Sequence, residues 1–143
     1  MNYFIDPVTG QDYAYDDDAP VKAIKPGLIV APKRPSATAV WQDGQWQEPT
    51  PTIEEMIAAN TAAIQKELDR QAQAKGYDNI VSACSYAAQE GGAPFQAEGA
   101  AFLAWRSAVW THAYAVLAQV QAGELPMPTP QEAVAQMPAL VLP

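Results

Sequence analysis

GYDNIVSACSYAAQEGGAPFQAEGAAFLAWRSAVWTHAYAVLAQVQAG, residues 76–123, is the stretch whose reading decides the fold. From Gln96 to Ala122 it carries Phe102, Trp105, Val109, Val116 and Val120 at spacings of three, four and seven, with Leu103, Trp110, Tyr114 and Leu117 as a second stripe alongside. That periodicity predicts one long helix, apolar on two sides, and such a helix needs cover on both. Glu98 in its first turn complements the helix dipole, and Pro94 suits a position in that turn. Before it, Asn79 to Ala88 is rich in Ala, Ser and Cys, so a neighbouring backbone can approach closely. Asp78 stands where a cap is expected and Gly91-Gly92 where the helix stops. Residues 78–122 therefore read as a helical hairpin whose partial cover comes from its own first arm and the rest from another chain.

Upstream, Thr52-Ile53-Glu54-Glu55 is a capping box that opens a helix running to about Ala74, stopped by Gly76. Its apolar positions are Ile53, Ile57, Ile64 and Leu68, with Asn60 inside the seam. A narrow stripe with one polar residue in it suits a self-associating helix whose register is being specified; the plainer alternative is a helix lying on its own domain. Downstream, Thr129-Pro130-Gln131-Glu132 is a second capping box with proline at the first helical position, opening a short helix over 130–137 that Pro138 ends. The apolar tail Ala139-Leu140-Val141-Leu142-Pro143 is expected to dock.

Seven of the thirteen prolines precede Thr52, and none lies between Thr52 and Ala93. That break sets the domain plan: a proline-rich β region over 1–51, a linker helix over 52–75, and a helical domain over 76–143. The fold class is α+β, a small N-terminal β-hairpin region followed by a C-terminal helical hairpin or bundle. Within 1–51, Tyr3-Phe4-Ile5 and Tyr13-Ala14-Tyr15 flank a Pro7–Gly10 turn and read as a first hairpin. Val21–Pro35 reads as an extended segment supplying one edge strand, because proline cannot donate to a ladder. Thr38–Gln47 is the clearest hairpin: Asp43-Gly44 suits a type I′ turn that sets Gln42 opposite Gln45 and Trp41 opposite Trp46. Facing aromatics add about 0.2–1 kcal/mol to such a pair. Paired tryptophans also stack on sugars; packing onto the helices or onto a partner is the plainer reading.

A net charge of −8 with only eight scattered Lys and Arg argues against nucleic acid and against an anionic membrane surface. No apolar run approaches the roughly 20 residues of a membrane span, and MNYFIDPVTG lacks the basic start and apolar core of a signal peptide. The expectation is a chain that is not secreted by the usual route. The single cysteine, Cys84, suits a packing thiol in a reducing compartment. Asp16-Asp17-Asp18 fails the calcium-loop pattern and reads as a solvated turn. His112 has no second histidine or cysteine at ligand spacing, so no metal is expected. Arg106 lies four residues from Phe102 and from Trp110, a spacing that suits stacking on an aromatic face. No glycine-rich phosphate loop, Cys/His cluster or catalytic triad spacing occurs, so neither an enzyme nor a cofactor is implied.

Gly76-Tyr77-Asp78-Asn79-Ile80, Ser82–Ala87, Pro94–Gly99, Trp105-Arg106, Val109-Trp110, Ala122-Gly123 and Pro126–Thr129 together resemble small proteins of tailed bacteriophages, encoded beside tail-fibre genes and described as tail-fibre assembly or minor tail proteins. The resemblance lies mainly over residues 76–130. It implies a non-enzymatic assembly protein, or chaperone, that works in the host cytoplasm, binds a trimeric tail fibre or another tail protein, and is either released or retained on the virion. On this reading Phe102, Trp105, Arg106, Trp110 and Tyr114 cover the partner. A permanent tail or baseplate adaptor is the alternative, a homo-oligomer bundled through Ile53, Ile57, Asn60, Ile64 and Leu68. A third reading is a sugar-binding adhesin tip using Trp41 and Trp46.

Overall fold

The computed structural model describes residues Met1–Pro143, which divide into two units, Met1–Pro51 and Thr52–Pro143. The architecture is α+β, with strands confined to the first unit and all the long helices in the second.

In the first unit, strand β1 (Asn2–Ile5) pairs antiparallel with β2 (Asp12–Tyr15), Phe4 opposite Tyr13. The connecting turn is held by Asp6, whose carboxylate accepts from the Val8 amide at 2.9 Å, and that bond holds the Asp6 carboxyl below its ordinary pKa. Residues 21–35 are not extended throughout: Val21–Ile24 forms one helical turn, α1, which buries Val21. Only Ile29–Val30 (β3) is a strand, and it pairs with β1 at the sheet edge, as the prolines around it require.

Strands β4 (Val40–Gln42) and β5 (Gln45–Gln47) form the second hairpin in the expected register, Trp41 opposite Trp46. Asp43 at φ 52° and Gly44 at φ 79° supply the two positive angles of its type I′ turn. Arg34 binds this hairpin to the sheet. Its guanidinium donates to the Ala39 carbonyl at 2.7 and 2.9 Å, and it faces Asp12 at 3.5 Å.

In the second unit, helix α2 (Ile53–Ala74) opens on the expected box: Thr52 Oγ1 accepts from the Glu55 amide, and Glu55 Oε2 accepts from the Thr52 amide at 2.8 Å. It is not a linker. Asn60, Ile64, Leu68 and Ala72 are buried at spacings of four, against α3 (Ile80–Ser85) and α5 (Pro130–Ala135). The α3 cap is Asn79, which accepts from the Ser82 amide, and not Asp78. A second cap comes from outside the helix, because Asp69 of α2 accepts from the Ile80 amide at 3.0 Å.

Helix α3 passes into a 3₁₀ turn over Tyr86–Ala88 and ends before the Gly91-Gly92 pair. Helix α4 spans Gln96–Gln121. Pro94 lies outside it, because Phe95 takes a left-handed conformation at φ 69° and redirects the chain just before the first helical residue. The α5 capping box forms as expected.

The core of this unit is Ile64, Leu68, Ala72, Ile80, Ala83, Phe102, Trp105 and Val109. The apolar tail docks onto it through Leu140 and Leu142, and Trp105 Nε1 donates to the Pro138 carbonyl at 2.7 Å.

Tyr77 closes one end of this core, its ring edge-on to Phe102 and its hydroxyl donating to Glu98 at 2.8 Å. Burial first, and the Glu98 carboxylate second, push its pKa from 10.0 up to about 12. The folded unit then keeps a proton that the unfolded chain gives up, so stability is expected to fall as pH rises from 10 through about 12. Urea midpoints across that range will show the slope, and Tyr77→Phe should flatten it.

Candidate functional site

Helix α4 is covered unequally along its length. Its first half carries Phe102, Trp105 and Val109 into the core, beneath α3 and the 86–88 turn. Beyond Val109 the apolar residues outlast the cover: Val116, Leu117 and Val120 are half-buried, and Tyr114 is 69% exposed.

These side chains form one wall of a groove of about 530 Å³. Helix α2 supplies the opposite wall through Ile57, Asn60 and Ile64. Met127, Pro128, Ala133 and Met137 complete it from α5 and the residues on either side of it. Size and apolar lining place the groove in the range of binding sites.

Its polar groups are few. Asn60 is 8% exposed, and its amide donates to the Pro128 carbonyl at 2.8 Å, tying α2 to the chain ahead of α5. Its Oδ1 has no hydrogen-bond partner. Arg106 Nε and His112 Nε2 are likewise buried and unpaired, and both residues line the same groove. Most buried polar atoms in folded proteins are satisfied, so three orphans around one cavity mark it as unusual.

The sequence-predicted residues are divided by this geometry. Trp110 and Tyr114 line the groove with their rings 6.4 Å apart, and Arg106 lines it too. Phe102 and Trp105 do not: they are core residues beneath the tail and α3, closed to any partner. Arg106 stacks on no ring, since the cation–ring contacts are Lys25 on Tyr13 and Arg34 on Trp46.

The supposed oligomerisation seam is taken up within the chain. Asn60, Ile64 and Leu68 face α3, α5 and Pro128, Ile57 lines the groove, and only Ile53 is largely exposed. The polar residue in the heptad therefore specifies an intramolecular contact. Nothing in the sequence pattern singles out Met127 and Met137; the Pro126–Pro128 turn and the α5 capping box are the only signals near them.

Trp41 and Trp46 meet edge to face, 5.2 Å apart at 75°, and present no common flat platform for a sugar. Trp46 is further committed by its Nε1 bond to the Pro32 carbonyl and by Arg34 against its ring.

Cys84 is half-buried beside the core, and burial pushes its thiol pKa up, against the opposing charge of Arg106. That environment disfavours the thiolate. No group of three or more His, Cys, Asp or Glu side chains is placed to hold a metal ion.

No protein-family model, curated protein or solved structure matches this chain. No helix is long and apolar enough to cross a membrane.

Proposed function

We propose that the chain is a non-enzymatic assembly protein of a tailed bacteriophage, and that its helical unit docks on the tail fibre or another tail protein through the groove beside the second half of α4. The observation that carries this reading is the open apolar groove itself, with Trp110 and Tyr114 on its wall and Val116, Leu117 and Val120 only half covered. Aromatic side chains in a partly formed pocket are the usual anchors of protein recognition. The resemblance over residues 76–130 supplies the class of partner, and the net charge of −8 argues against nucleic acid as the occupant.

Covering apolar fibre surface during folding keeps it from aggregating, which requires binding and no chemistry. Co-expression with the fibre encoded next to this reading frame tests it. The soluble, trimeric fraction of the fibre should rise, and the gain should be lost with Tyr114→Ala, a change at an exposed position that leaves the core intact. An unchanged fibre yield would overturn the proposal.

A further inference from the structure

We infer that the groove receives a single amphipathic helix of a protein partner, and that the apolar face of this helix carries one carboxylate that pairs with Arg106. The inference rests on the docking reading above and adds the chemistry of the occupant.

Charge is the first ground. In a chain of net charge −8, no Asp or Glu lines the groove, whose basic side chains are Arg106 and His112. Arg106 belongs to none of the four ion pairs of the molecule, and its Nε is buried without a partner. Leaving a buried donor unsatisfied is costly, and more so when it is charged. An entirely apolar occupant would take the rest of the guanidinium out of water without a partner, whereas a carboxylate beside it supplies a charge-assisted bond. A second copy of this chain is disfavoured as the occupant because both molecules carry the same large negative charge.

Backbone chemistry is the second ground. Most of the lining comes from α2, α4 and α5, whose backbone bonds are made within each helix, and no strand lies in this part of the chain, so the groove offers no strand edge. An extended segment would bring unpaired backbone groups against apolar walls, while a helix arrives with its own bonds made.

Length is the third. From Arg106 to Val120 the α4 wall runs about 21 Å at the helical rise, which matches about four turns of a partner helix whose anchors at i, i+3, i+4 and i+7 continue to i+11 and i+14.

The test uses three fluorescein-labelled, alanine-based helical peptides of about 16 residues, with leucines at those anchor positions. They differ only in one residue flanking the leucine stripe, which is Glu, Gln or Lys. Binding to the full-length protein is read by fluorescence anisotropy.

The Glu peptide should bind about tenfold more tightly than the Gln peptide, with the Lys peptide weakest. The preference should vanish in Arg106→Gln and survive in part in Arg106→Lys, with near-UV circular dichroism confirming that both variants stay folded. Equal affinities, no saturable binding, or an undiminished Glu preference in Arg106→Gln would each overturn the inference. Displacement of the Glu peptide by equimolar decanoate would do so as well, by making the groove a site for free amphiphiles. An Arg106→Gln variant that still solubilises the fibre would remove the carboxylate and leave the docking function standing.

Discussion

Gly99→Ala is expected to destabilise the helical unit by about 1–3 kcal/mol, the usual cost of forcing extra volume into a packed interior. A Cβ added at Gly99 would lie 2.6 Å from the Ala87 nitrogen and 2.8 Å from the Tyr86 carbonyl carbon. Both atoms are backbone, so no side chain can rotate aside. The 86–88 turn and α4 would have to separate, and the contacts of Tyr86 with Tyr77 and of Tyr77 with Phe102 would loosen with them.

The sign of the effect is the informative part. In an open helix, replacing glycine by alanine stabilises by about 0.5–1 kcal/mol. At Gly99 the steric term must exceed that gain. Urea denaturation of Gly99→Ala beside Gly91→Ala, a turn position where an added Cβ meets nothing within 4 Å, sets the crowded glycine against one whose replacement carries no steric cost. A Gly99→Ala protein as stable as the parent would mean that α4 and the 86–88 turn do not cross at this close distance.

Phe102→Ala should cost more, about 3–5 kcal/mol, because it removes a large side chain from a site that cannot collapse. Phe102 is fully buried, with the Tyr77 ring at 5.6 Å and Trp105 at 6.4 Å, both meeting it close to edge-on. The loss is a sizeable share of the 5–15 kcal/mol that holds a typical domain folded. Its neighbour is the control: Leu103 is 47% exposed, so Leu103→Ala should change stability by roughly 0.5 kcal/mol or less. Similar losses at the two positions would contradict the burial pattern. The contrast also bears on function, since a binding defect in Phe102→Ala would report unfolding, whereas changes at Tyr114 or Arg106, which line the groove and are not part of the core, would report the groove.

Local signals accounted for much of the architecture. Asp43-Gly44 specifies a turn that few other dipeptides make, so the register of the Trp41–Trp46 hairpin followed from two residues. Both capping boxes formed where Thr and Glu stand three apart, because a cap is a bond between near neighbours. The proline-poor stretch began at the boundary between the two units.

Competing local signals were less decisive. Asp78 and Asn79 are both good caps, and the choice fell to Asn79 once Asp69 of α2 was there to receive the next amide. Pro94 was a sound first-turn residue in isolation, yet the left-handed turn at Phe95 placed the helix start beyond it.

Amino-acid order alone determined that residues 96–122 are helical, apolar on more than one side, and in need of cover. It could not say which part of the helix the chain itself would cover, because periodicity records that a face is buried and not by what. Only the tertiary structure made that division. Contacts between residues more than sixty positions apart, such as Asn60 with Pro128, turned an apparent oligomer seam into an internal one. Cover from α3, the 86–88 turn and the docked tail took Phe102 and Trp105 into the core, leaving Trp110, Tyr114 and Arg106 along the open groove.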